Sequence, residues 1–175
     1  MVQALLERVP VLRLSISATT RTRRPDEGDG VHYWFLTDGE FDRRLEADEF
    51  LEHHVFSWGQ KSGTLLSELD RIRREGHVPL LELEIEGSLE VKERIPGAVT
   101  IFVDAPLDEL ERRLRGRATE SGGEIEERIA LAAKQKEDAH RFDYVVENDD
   151  RERAAAECVA IVKRELNSAA TMARR

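Results

Sequence analysis

The sequence predicts an α/β fold, a mainly parallel sheet flanked by helices on both faces. Three observations lead there. From Val78 onward, strand-like and helix-like stretches alternate. Breaker-rich polar loops separate the earlier elements. A chain of 175 residues with 40% hydrophobic content buries one full core and leaves little for a second, so one domain is expected.

Val2 to Val9 reads as the last turns of a helix, with Ala4, Leu5 and Leu6 apolar and Pro10 as its stop. Leu12, Leu14 and Ile16 alternate with Arg13, Ser15 and Ser17, the period of a half-buried strand. Thr19 to Gly30, holding Pro25, Gly28 and Gly30, is a loop exposed to ligand or solvent. His32 to Leu36 predicts a strand, Phe41, Leu45 and Phe50 a short amphipathic helix, and Ser57 to Thr64 a second polar loop. There follow a strand at Val78 to Ile85, a helix at Leu89 to Arg94, a strand at Val99 to Val103 and a helix at Leu107 to Arg115. Leu107, Leu110 and Leu114 share one face of the last. A helix from Glu124 to His140, a strand from Asp143 to Val146 and a helix from Arg151 to Leu166 complete the alternation, and the end of the chain reads as a frayed tail.

The formal charge of −9 disfavours a broad nucleic-acid or anionic-membrane surface, so an anionic ligand must be met by localised arginines. The single Cys158 permits no intramolecular disulfide, and no apolar run approaches a membrane span. A soluble protein of a reducing, cytoplasmic compartment is expected. His32, His53, His54 and Cys158 match no standard zinc spacing, so no metal ligand is assigned.

The first loop concentrates Ser17, Thr19, Thr20, Arg21, Arg24 and Tyr33. Guanidinium forks match two phosphate oxygens at once and keep their charge when water is excluded, so the set suits a phosphate monoester; a solvated charged loop is the bland alternative. The order Ser17-Ala-Thr-Thr-Arg21-Thr-Arg-Arg24-Pro-x-Glu27-x-x-Gly30-x-x-Tyr33-x-Phe35 closely resembles the monophosphate-binding segment of guanylate kinases. Phe50-Leu-Glu52-His, Gly59-x-x-x-Gly63-Thr64, Leu81-Glu-Leu-Glu-Ile-Glu-Gly87, Arg112-Arg-Leu-Arg-Gly-Arg117 and Tyr144-Val-Val-x-Asn148-Asp-Asp150 follow in family order.

The resemblance implies a P-loop NTPase-like fold of the nucleoside monophosphate kinase type and ATP-dependent phosphorylation of GMP to GDP, with Mg2+ accompanying ATP. Arg21, Arg24 and Tyr33 would hold the GMP phosphate, and Ser17 would belong to the same GMP-binding set. Guanine presents two adjacent donors beside an acceptor, and a carboxylate accepts from both donors. Glu52 matches that role, Thr64 a hydroxyl near O6, and Glu82 and Glu84 the acidic positions of the third motif. Glu82, Glu84 and Glu86 lie two apart, which sends all three to one face of the expected strand. Arg113, Arg117 and Arg128 match lid arginines that stabilise the transferring phosphoryl group, although Glu109 and Glu111 equally suit an ordinary charged helix face. Asn148, Asp149 and Asp150 are capping residues, to which the resemblance adds an ATP contact for Asn148.

One domain over 1–167 is expected, with a core of 1–16, 79–110 and 129–167, a GMP-binding region at 17–78, a lid at 111–128 and a tail at 168–175. No Gly-x-x-Gly-x-Gly-Lys segment stands in these 175 residues, and Val2-Gln-Ala-Leu-Leu-Glu-Arg matches the helix that follows that loop in the family. The expectation is an N-terminally truncated chain, lacking the P-loop and first core strand, with ATP turnover by this form in question. Lys61 and Ser62 replace a family tyrosine pair, and Lys61 is the candidate to replace the lost hydroxyl. The alternative is a noncatalytic guanylate kinase-like module that binds GMP or a phosphorylated protein partner.

Overall fold

The structure, a computed structural model, describes residues 1–105 and 136–172. They fall into two compact units. Val2 and Val9–Pro96 form one, and Met1, residues 3–8 and the described residues from Gly97 onward form the other.

In the Val9–Pro96 unit, β1 (Leu12–Leu14) pairs in parallel with β6 (Val78–Leu80), aligning Leu12 with Val78 and Leu14 with Leu80. A second sheet has the order β3-β2-β5-β4, built from β2 (Ala18–Thr19), β3 (Trp34–Phe35), β4 (Phe50–Val55) and β5 (Lys61–Leu65). β4 and β5 are an antiparallel hairpin, and β5 also pairs antiparallel with β2. Helices α2 (Asp38–Glu46), α3 (Leu66–Arg74) and α4 (Ile85–Arg94) join these strands. Ala18, Phe41, Phe50 and Leu65 are buried together, with Trp34, Leu36 and Leu45 packed against them. The Phe41 and Phe50 rings stack with centroids 4.4 Å apart.

Several elements depart from expectation. Phe50 does not belong to the helix of Phe41 and Leu45, because Asp48 turns into the left-handed region (φ 56) after Glu46 and closes α2, so Phe50 opens β4. The second polar loop is only half a loop. Lys61–Leu65 is a strand whose polar residues find backbone partners on β2 and β4. The strand expected over Val78 to Ile85 ends at Leu80, since its partner strand turns away: the Ser15 amide still donates to Leu80 O (2.8 Å), whereas the next amide, of Ile16, donates to the Glu68 carboxylate (3.1 Å). Glu84 therefore N-caps α4 and Glu86 lies in its first turn, so Glu82, Glu84 and Glu86 do not share a strand face, although all three are exposed.

In the other unit, α1 (Val2–Arg8, all but Val2 assigned here) buries Leu5. β7 (Ile101–Asp104) and β8 (Tyr144–Glu147) run parallel, with Ile101 opposite Tyr144 and Asp104 opposite Glu147. Thr100 donates its amide and hydroxyl to Asp143 Oδ2 at 2.8 and 2.7 Å, tying the two strands at their starts. A 3-10 turn at Ala139–Arg141 precedes β8, and α5 (Arg151–Met172) follows it. Asp150 accepts the Arg153 amide (2.8 Å), the N-cap bond expected of this acidic cluster. α5 buries Ala154, Ala155, Cys158, Val159 and Ile161 on one stripe and continues to Met172, past the residue where a frayed tail was expected. The helix expected at Leu107 to Arg115, most of that at Glu124 to His140, and the lid at 111–128 lie outside the described residues.

Candidate functional site

Arg21 leaves β2 at its C-terminal end, and the fold holds its guanidinium from several sides. Glu27 accepts from it at 2.6 Å, Thr22 O accepts at 2.9 Å, and the rings of Tyr33 and Phe35 lie 5.3 and 5.7 Å away. Thr19 Oγ1 accepts the Arg21 amide (3.2 Å) and donates to Lys61 O (3.0 Å), fixing the loop to β5. Glu27 also accepts the Arg24 amide (2.8 Å). The bond from Arg21, followed by that from the Arg24 amide, lowers the Glu27 carboxyl to about 2. The pair is therefore fully charged at neutral pH.

The loop returns through Gly30, in the left-handed region at φ 69, whose absent Cβ leaves room for the Trp34 ring. His32 Nδ1 accepts the Gly28 amide at 2.9 Å, so this histidine shapes the loop. Ser17 is half-buried and its carbonyl accepts the Trp34 amide (2.9 Å). Arg24 is exposed beside the Arg21–Glu27 pair.

Glu52 and Thr64 face each other across β4 and β5 and are 5% and 1% exposed. A register irregularity between Phe50 and Glu52 leaves Phe50, Leu51 and Glu52 all buried, breaking the usual alternation and turning Glu52 inward. Neither Glu52 Oε1 nor Thr64 Oγ1 completes a hydrogen bond of regular geometry with a described residue. Burial pushes the Glu52 carboxyl above the ordinary value, and hydrogen bonding from the side chain and backbone of Thr64 tempers this. A buried carboxylate and a buried hydroxyl that meet only each other keep hydrogen-bonding capacity that a ligand's donors and acceptor would complete.

Glu82 and Glu84 stand exposed between β6 and α4, and Glu84 makes no side-chain cap bond. Asn148 follows β8, its amide donating to Asp104 O at 2.6 Å. Arg113, Arg117 and Arg128 lie outside the described residues. Lys61 Nζ is committed to α2, 2.5 Å from Asp42 and 3.6 Å from Asp38. Its ammonium is thus neutralised by two carboxylates rather than presented to the loop.

Sequence reasoning passed over three supporting residues. Glu27 stood in the motif with no role, and its signal is a carboxylate six residues beyond the arginine it holds. Arg94 donates to Phe50 O at 3.3 Å and to Leu51 O, gripping β4 beside Glu52. Gly87 is buried in α4 against the Glu52 carboxylate, and its signal is a glycine inside a helix.

The chain is similar to known proteins over most of its length. A family model described as guanylate kinase matches residues 1–165. The guanylate kinase of Rubrobacter xylanophilus is 41% identical over 165 residues, covering 94% of this chain and 86% of that protein. That of Salinibacter ruber is 42% identical over 166 residues, covering 93% and 87%. Among solved structures, the guanylate kinase of Anaplasma phagocytophilum superposes with a TM-score of 0.73 at 26% identity, covering 93% of this chain and 81% of that one.

Proposed function

This chain belongs to the guanylate kinase family, and on that premise we propose how its own residues take GMP. The function is the family's, ATP-dependent phosphorylation of GMP to GDP, on a P-loop NTPase-like α/β fold. Residues 17–78 are the GMP-binding region, 111–128 the lid, and 1–16, 79–110 and 129–167 the core. Arg21, Arg24, Tyr33 and Ser17 hold the phosphate, while Glu52 and Thr64 read the base. Glu82 and Glu84 are assigned to the same ligand from the exposed segment before α4. A GMP phosphate oxygen attacks the γ-phosphorus of ATP in line, the bond to the bridging oxygen breaks, and ADP leaves. Arg113, Arg117 and Arg128 offset the charge that develops, and Asn148 contacts ATP.

Mg2+ is the proposed cofactor, carried on the ATP phosphates; no group of three or more potential side-chain ligands stands among the described residues. No helix among them is long and apolar enough to cross a membrane.

The observation that carries the reading is the pair Glu52 Oε1 and Thr64 Oγ1, an acceptor and a hydroxyl buried at one spot with capacity beyond each other. Guanine supplies the N1 and amine protons to the carboxylate and O6 to the hydroxyl, whereas adenine sets a lone pair against the carboxylate. Thr64 and Lys61 lie three residues apart on β5, roughly 10 Å at about 3.4 Å per residue. Thr20, next to Arg21, donates its amide to Lys61 O, so base and phosphate ends are separated by about the length of an extended nucleoside monophosphate.

Competition among GMP, AMP and ribose 5-phosphate for the purified chain, read by calorimetry, tests this. GMP is expected to bind at least about 100-fold tighter than AMP, as a buried polar pair mismatched by the wrong base requires. Equal binding of AMP removes the guanine assignment. A phosphopeptide added to the same competition and bound as tightly as GMP supports the noncatalytic module instead.

A further inference from the structure

Gly87 is the third residue of α4, buried in its first turn, where glycine is a weaker helix former than alanine. A Cβ built there would stand 2.7 Å from Glu52 Oε2 and 3.3 Å from its carboxyl carbon. Seven residues on, two helical turns along the same face, Arg94 donates to Phe50 O and Leu51 O. Val91 lies buried on the same stripe between them. α4 is thus pressed on β4 twice, by a guanidinium on the strand's backbone and by an absent side chain on the carboxylate. Gly63 offers a contrast. Its Cβ would meet Glu52 O at 2.7 Å and the Phe50 ring at 2.9 Å, so a side chain there collides with the sheet itself. At Gly87 the colliding atoms are the end of a side chain, which can swing away without unfolding anything.

We infer that Gly87 is a positioning residue for guanine recognition: its missing Cβ makes the space in which Glu52 aims its carboxylate at the base. The inference rests on the reading of Glu52 as the base acceptor. The consequence is specific. A methyl group at position 87 displaces the carboxylate and leaves the fold and the phosphate end in place, so it erases base discrimination without erasing phosphate binding. Helix propensity alone predicts the opposite of a defect, because alanine suits α4 better than glycine.

The test compares the native chain with Gly87→Ala and Glu52→Gln by calorimetric affinity for GMP, for inosine monophosphate, which lacks the exocyclic amine, and for ribose 5-phosphate, alongside thermal melting. In the native chain GMP should bind about tenfold or more tighter than inosine monophosphate, the effect of one charged hydrogen bond. Gly87→Ala should bring that ratio to within about twofold, leave ribose 5-phosphate affinity unchanged, and not lower the melting temperature. A retained ratio in Gly87→Ala, with the ratio collapsed in Glu52→Gln, overturns the role of Gly87 and leaves the base reading standing. A ratio unchanged in Glu52→Gln overturns both. Parallel loss of ribose 5-phosphate affinity in Gly87→Ala marks a general structural role and also overturns the inference.

Discussion

Arg21 is oriented before any ligand arrives. Glu27 fixes its fork from one side and two aromatic rings support its plane, so the proposed phosphate contact would cost little further side-chain freedom. The cost is that phosphate must compete with, or add to, a carboxylate already in place. Because Glu27 titrates at about 2, no ordinary change of pH releases it. Arg21→Ala is expected to weaken GMP binding about 10- to 100-fold at neutral pH, the range for a hydrogen bond to a charged group, measured by calorimetry. Unchanged affinity would remove Arg21 from the phosphate site. Every residue in this constellation was visible in the sequence, because the loop places them within eighteen positions. The role of Glu27 was not visible, since a salt bridge depends on loop geometry rather than on composition.

Helix α2 shows how an element prepares a site it does not line. Thr37 accepts the Glu40 amide at 3.2 Å while Glu40 accepts the Thr37 amide at 2.8 Å, a reciprocal cap. The helix so anchored drives Phe41 into the core and presents Asp38 and Asp42 to Lys61. Thr37→Ala should cost about 1 kcal/mol in urea denaturation, the usual loss of an N-cap oxygen. No change in the midpoint would show that the cap is dispensable beside the tertiary contacts of α2. The apolar face of α2 was legible, but its cap at Thr37 and its end were not. Phe50 continued the apolar spacing, and only the left-handed turn at Asp48 separates it. β5 was illegible for a related reason. Its Lys61, Ser62 and Gly63 carry no strand pattern and are held by neighbours on both sides, Ser62 opposite Thr19 and His54.

Across the whole molecule, carboxylates dominate the response to acid. Glu27, Glu40, Glu68 and Asp149 are all held below their ordinary values. At Glu68 burial pushes upward, and the fork of Arg71 with the Ile16 amide outweighs it. Groups with depressed values stabilise the fold above their unfolded pKa and lose that contribution as pH falls through the folded one. Glu52, raised by burial, acts in the opposite sense, and its penalty is relieved on protonation. Among the described residues, four groups against one make the sign clear. The urea midpoint should hold from neutrality to about pH 5 and decline from there toward about pH 2.5. A midpoint higher at pH 3 than at pH 7 would show that relief of buried carboxylates outweighs loss of the ion pairs.

Short motifs with local chemistry reveal the family, and they fix the residue types of the proposed ligand pocket and the order in which the chain presents them. The sequence by itself also determined that an anionic ligand on a chain of net charge −9 must meet clustered arginines. Which groups are already engaged, and which keep bonding capacity, follows from the packing of distant segments. Lys61 is neutralised by Asp42, nineteen residues away, while Glu52 is buried opposite Thr64 and against Gly87, thirty-five residues away. Burial, open hydrogen-bonding capacity and the space left by a missing methyl group belong to pairs of segments, and no local pattern encodes them.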